Sequence, residues 1–121
     1  MARIYTPQTA KTCPWNEIEE HFTKWFSGVY ADNIARLVKH IISSGLSERL
    51  FAYTSMDKLV ISNYEPIEWN KDALHITFNT YDQKWTFEYY ANPFQKAEFV
   101  RIYPLEKGIE KFDNFVKMIG W

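Results

Sequence analysis

Cysteine is nearly absent: Cys13 is the only one in 121 residues. No internal disulfide can form, which fits a reducing compartment. Glycine is also scarce, with four well-separated residues, so no glycine-rich loop exists to cradle a phosphate. No run of about 18 apolar residues occurs, and no segment reads as membrane-spanning. The opening residues, Met1-Ala2-Arg3-Ile4-Tyr5-Thr6-Pro7, lack the apolar core of a signal peptide, so the expected location is cytoplasmic. A basic excess is missing too. Fourteen Lys and Arg stand against fifteen Asp and Glu, for a net charge of −1. A duplex-binding domain relies on such an excess to release counterions from phosphates, so direct nucleic-acid binding is not expected.

Chemical signatures are equally thin. His21 and His40 lie in helical segments without a second ligand one turn on, and no Cys, His or carboxylate spacing matches a metal site. No metal or cofactor is expected. Cys13 has no histidine close in sequence, and Ser43-Ser44-Gly45 has neither a nucleophile elbow nor a phosphate loop around it.

What the chain has in abundance is aromatic residues: five Trp, eight Tyr and nine Phe. Many fall in alternating runs such as Leu74-His75-Ile76-Thr77-Phe78 and Lys84-Trp85-Thr86-Phe87-Glu88-Tyr89-Tyr90. Alternation marks strands with one face on a core and one facing water. Each aromatic ring buries about 150–250 Å², enough for a small domain to hold without disulfides.

Helical spacing appears first along the chain. Pro14 suits the first position of a helix, where its missing N–H has no partner to lose, and Thr12 or Cys13 would cap it. Trp15, Ile18, Phe22, Trp25 and Phe26 form its apolar stripe, and Gly28 ends it. Asp32 then reads as the cap of a second helix carrying Ile34, Leu37, Val38, Ile41 and Ile42 at helical spacing, with Gly45 as its stop. Strands follow at Leu50–Ser55 and Lys58–Ser62 around Met56-Asp57, at Ala73–Thr80 and Gln83–Tyr90 around Tyr81-Asp82, and at Ala97–Tyr103. Tyr64 to Asp72, with Pro66, reads as a loop. A last helix spans Gly108–Ile119, burying Ile109, Phe112, Phe115, Val116 and Ile119.

Every connection between strands is too short for a parallel crossover. The expected fold is therefore α+β: a single two-layer domain over residues 13–121, preceded by an arm or short edge strand over 1–12. Its order is (β)ααβββββα, with an antiparallel five- or six-stranded meander and the helices packed on one face.

Register then places candidate sites. If Ile76, Phe78, Trp85 and Phe87 face the core, His75 lies opposite Glu88, Thr77 opposite Thr86 and Asn79 opposite Lys84. If Val100 and Ile102 also face the core, Arg101 joins His75 and Glu88 on the outer face. Histidine, carboxylate and guanidinium together would make an acid–base set; charged pairs across strands also commonly decorate a wet sheet face, and that reading has the greater weight. A different patch comes from the acidic loops, where Glu65, Glu68, Trp69 and Asp72 flank one end of a strand and Tyr81 and Asp82 the other. Exposed Trp and Tyr framed by carboxylates suit a protein interface; the competing expectation is that Trp69 folds back to close the core. Tyr90, Phe94 and Trp121 are similar in less acidic surroundings.

The functional expectation is a non-catalytic protein-binding domain. Its most concrete form is an immunity- or antitoxin-type inhibitor that neutralises a basic toxin enzyme by occluding it. The alternative is a small-ligand-binding or enzymatic cavity domain of helix-grip or cone-like type, lined by Phe51, Tyr53, Trp85, Phe87 and Phe112. Obligate self-association through an edge strand or an aromatic face is a third route by which the chain would work.

Overall fold

A computed structural model describes residues 9–10, 12–25, 29–55, 58–63, 67–68, 72–79, 81–91 and 96–121. The expectations for Arg3 to Thr6, Phe26, Gly28, Met56-Asp57, Tyr64, Glu65, Pro66, Trp69 and Phe94, and for the Trp25 side chain, lie outside the described residues.

The elements run β1 (Thr9–Ala10), α1 (Trp15–Trp25), α2 (Val29–Ser43), a 3-10 turn (Leu46–Glu48), β2 (Phe51–Ser55), β3 (Lys58–Ser62), β4 (Ile67–Glu68), β5 (Ala73–Asn79), β6 (Lys84–Tyr90), β7 (Phe99–Pro104), a second 3-10 turn (Leu105–Lys107) and α3 (Gly108–Ile119). Strands β2-β3-β5-β6-β7 form one five-stranded antiparallel meander. Two-residue β1 pairs with β4 in a separate ribbon, within the segments read from sequence as an arm and a loop. The fold is the expected α+β arrangement, with ααβββββα order around the main sheet.

Both N-terminal helices differ slightly from the sequence reading at their starts. Helix α1 begins at Trp15, and the Pro14 carbonyl accepts from the amides of Glu17 and Ile18 at 3.0 and 3.1 Å. Cys13 instead bridges to β2, its amide donating to Ala52 O at 2.9 Å, while the Trp15 indole donates to Leu50 O at 3.0 Å. Helix α2 starts three residues before Asp32, which sits in its first turn rather than at its cap. There its carboxylate still meets the positive end of the helix.

One face of the sheet carries the core. Ile18 and Phe22 of α1, Ile34, Leu37, Val38 and Ile41 of α2, and Phe112, Phe115 and Val116 of α3 pack with inward residues of every central strand. Along β5 and β6 these are Leu74, Ile76, Phe78, Trp85, Phe87 and Tyr89, all buried. Ring contacts continue from β6 through Tyr89–Phe99 at 5.5 Å and Phe87–Tyr103 at 5.2 Å to Phe99–Phe115 at 5.8 Å. Edge-to-face and offset pairs of this kind add about 0.5–1.5 kcal/mol each beyond their burial.

Trp85 and Gly108 fix the start of α3. The Trp85 indole N–H donates to Leu105 O at 3.0 Å, and the ring lies flat against Gly108. A Cβ at residue 108 would stand 2.2 Å from Trp85 Nε1. Gly108 has ordinary right-handed helical angles, φ −57 and ψ −50, so close approach rather than backbone freedom demands glycine. Gly120, at φ 80, turns the chain so that Trp121 meets Phe115 at 5.3 Å and donates to Asp72 Oδ2 at 3.3 Å. Substituting Gly108→Ala is expected to destabilise the domain by about 1–2 kcal/mol, the overpacking penalty exceeding the gain in helix propensity. A urea-unfolding midpoint equal to or above that of the unaltered chain would contradict this account.

Candidate functional site

The ladder between β5 and β6 pairs seven residues, from Ala73 with Tyr90 to Asn79 with Lys84. It sets His75 opposite Glu88 and Thr77 opposite Thr86, the register that alternation predicts. Its tip is built locally. Asn79 Oδ1 accepts from the Tyr81 amide at 2.8 Å, a side-chain turn of the kind asparagine favours, and Gln83 closes the turn at φ 54. Tyr81 is consequently 99% exposed, with Asp82 exposed beside it.

The side of the sheet away from the helices carries a cross-strand row: Tyr53, Val60, His75, Glu88 and Val100. This face is unevenly wet. Val60, Ser62 and Ala73 are buried at its β3–β5 end, so the expected solvated surface exists only towards β7. Ser62 avoids a polar penalty by donating its hydroxyl to Asp72 O at 3.0 Å. The Nδ1 of His75, by contrast, is buried with no hydrogen-bond partner among the described residues. The His75 ring packs against Tyr90 at 4.7 Å, and the Tyr90 hydroxyl donates to Glu88 Oε2 at 3.0 Å.

Burial dominates the titration of these groups. It pushes His75 below its ordinary 6.5, helped by the Lys58 charge and opposed by Glu88. It raises Tyr90, and the hydrogen bond to Glu88 and that carboxylate's charge raise it further. Burial likewise raises Tyr53. The row therefore holds a neutral imidazole beside a protonated phenol that donates to Glu88.

Arg101 is not part of it. Phe87 pairs with Arg101 and Thr86 with Ile102, so Arg101 projects to the helix side with Phe99 and Tyr103. Val100 and Ile102 face outward, 48% and 61% exposed. The inverted phase has a physical reason. Either phase of this strand puts apolar residues inward, and the one adopted packs the larger rings of Phe99 and Tyr103 against the core. Arg101 falls at the sheet edge, where it is exposed. The histidine, carboxylate and guanidinium thus do not converge.

The acidic-loop residues separate as well. Tyr81 and Asp82 share the hairpin tip, whereas Asp72 lies at the far end of β5 and is tied inward. Its Oδ2 accepts from the Tyr89 hydroxyl at 2.7 Å as well as from the Trp121 indole. The Glu68 backbone pairs with Thr9 in the small ribbon; Glu65 and Trp69 lie outside the described residues. The aromatic set of the cavity alternative is also divided. Trp85, Phe87 and Phe112 are fully buried on the helix side, while Tyr53 stands in the His75 row and Phe51 lines a surface groove with Pro14 and Trp15.

Compared with known proteins, the chain matches no family model, no curated protein and no solved structure. Its own geometry is therefore the source of any functional reading. Among the described residues no group of three or more His, Cys, Asp or Glu is placed to hold a metal.

One feature escaped the sequence reading, a groove of about 220 Å³ between β7 and α3 lined by Phe99, Arg101, Tyr103, Lys111, Phe115 and Met118. The signal was the alternative phase of Phe99–Tyr103, which places Arg101 on the same side as the outer flank of α3.

The depressed pKa of His75 gives the site a testable signature. Below its ordinary value the unfolded chain binds a proton that the folded chain does not. Stability therefore falls as pH drops through about 6.5 and levels only below the folded pKa. His75→Gln is expected to lose less stability than the unaltered chain between about pH 7.5 and about pH 5, read from urea midpoints. Equal losses in both proteins would show that this imidazole is not desolvated.

Proposed function

We propose that this chain is a non-catalytic protein-binding domain, most concretely an immunity- or antitoxin-type inhibitor that neutralises a toxin enzyme by occluding it. The observation that carries the reading is the β5–β6 tip, where Tyr81 stands 99% exposed on a turn held by the Asn79 side chain. A fully exposed tyrosine on a braced hairpin is a ready anchor, because the turn backbone that carries the ring is already ordered and only the side chain is left to fix on docking. The Asp82 carboxylate beside it favours a basic partner surface and speeds encounter with it.

The outer sheet face supports the non-catalytic half of the proposal. The Tyr90 hydroxyl is committed to Glu88, the His75 imidazole is desolvated and held neutral, and Arg101 points to the opposite side. The histidine, carboxylate and guanidinium set would need all three groups to converge on one reacting atom, and Arg101 lies on the other face. No helix among the described residues is long and apolar enough to cross a membrane, which is compatible with a cytoplasmic inhibitor.

The test pairs capture with rescue. The immobilised chain is expected to retain a basic protein from its source cells at low salt and release it at about 0.5 M salt, where surface charges are screened. The double variant Tyr81→Ala/Asp82→Lys, if its melting temperature is unchanged, should bind that protein at least about tenfold more weakly. Expressed alone the captured protein should be toxic, and the unaltered chain should suppress the toxicity while the double variant does not. Undiminished binding by the double variant would overturn the hairpin tip as the anchor; a harmless captured protein would overturn the inhibitor reading.

A further inference from the structure

The β7 edge offers a second surface, separate from the hairpin tip. Among the described residues β7 pairs with β6 alone, so no described strand covers its other side, which is an edge able to accept one. The opposite edge, β2, already takes a bridge from Cys13. Three of the five large apolar side chains that are exposed among the described residues flank β7: Val100, Ile102 and Met118, at 48%, 61% and 66%.

Charge selects what would pair there. On the helix side, the Arg101 guanidinium lies 5.1 Å from the Phe99 ring centroid and the Lys111 ammonium 5.6 Å from that of Tyr103. Neither cation forms an ion pair among the described residues; the Arg101 guanidinium donates to Val100 O at 3.1 Å, and both side chains line the groove between β7 and α3. An inward-pointing charge on an edge strand discourages self-pairing, because a second copy aligned antiparallel about Arg101 would oppose two guanidinium groups. The same charge favours a strand bearing carboxylates.

We infer that β7 accepts an extended acidic segment as a sixth strand, by main-chain pairing. Alternate side chains of that segment face opposite sides. Its carboxylates enter the groove between Arg101 and Lys111, and its aliphatic residues cover Val100 and Ile102. The aromatic walls lower the local dielectric and strengthen the charge pairing relative to an open surface.

A blocked, fluorescein-labelled peptide of alternating valine and glutamate is the probe, with the full chain as receptor and fluorescence anisotropy as readout. Saturable binding that weakens with salt is expected. The lysine-for-glutamate peptide should bind at least about tenfold more weakly, and so should the glutamate peptide with alternate backbone nitrogens methylated, which removes strand pairing. Arg101→Glu and Lys111→Glu, made singly so that one folded variant suffices, should each reduce affinity for the glutamate peptide and raise it for the lysine peptide. Equal binding of both peptides, or undiminished binding of the methylated one, would overturn the proposal. So would sedimentation showing a dimer that Val100→Lys dissociates, since a second copy would then occupy the edge.

Discussion

The contact between the Trp85 ring and the backbone of Gly108 governs the geometry of half the molecule. A buried indole must keep its N–H paired, and here the partner is Leu105 O, in the 3-10 turn that leads into α3. The ring can reach that carbonyl only if the first residue of the helix has no side chain. One interaction therefore joins the third inward position from the end of β6 to the point where α3 begins. The direction of α3 then places Phe112, Phe115 and Val116 over the sheet and brings Trp121 back to Asp72. Asp72 in turn holds Tyr89, two inward positions beyond Trp85, so the same helix is fastened at both ends to β6 or its neighbour.

This fastening holds the C-terminal end of the chain through ring packing and hydrogen bonds. Polar pairs stand where the helices meet the sheet and one another: His40 of α2 meets Asp113 of α3 at 2.8 Å, and the Arg49 side chain donates to Trp121 O at 3.2 Å. Between them lies a nearly continuous aromatic layer. Exposed pairs such as Lys39–Glu19 at 3.7 Å add little by comparison, since surface ion pairs contribute about 0–1 kcal/mol.

Much of the fold was legible because periodicity reports burial directly. The β5–β6 register followed from four core residues, since a one-residue slip would have turned every side chain to the wrong face, and α3 followed from the helical spacing of Ile109, Phe112, Phe115, Val116 and Ile119. Two kinds of feature were not legible. Asp32 can stabilise a helix either as its cap or from within its first turn, and its identity does not distinguish the two. Strand β7 is amphipathic in both phases, because Phe99 and Tyr103 alternate with Val100 and Ile102. Ring packing with Phe87, Tyr89 and Phe115 decides between them, and those partners are distant in sequence.

That ambiguity has a functional consequence. A strand whose two phases are both apolar cannot hide all of its apolar surface, whichever face it turns inward. At the sheet edge the surplus is left in water: two aliphatic side chains outside, and a cation with its aromatic neighbours inside. A central strand would have had a neighbour on each side to cover it, as Val60 and Ser62 are buried within the sheet. The Tyr81 tip arises from different physics, a turn that lifts a ring clear of any packing partner. The two exposed regions also differ in charge, carboxylate at the hairpin and cationic at the edge. The chain therefore presents surfaces of opposite charge at two places on the same sheet.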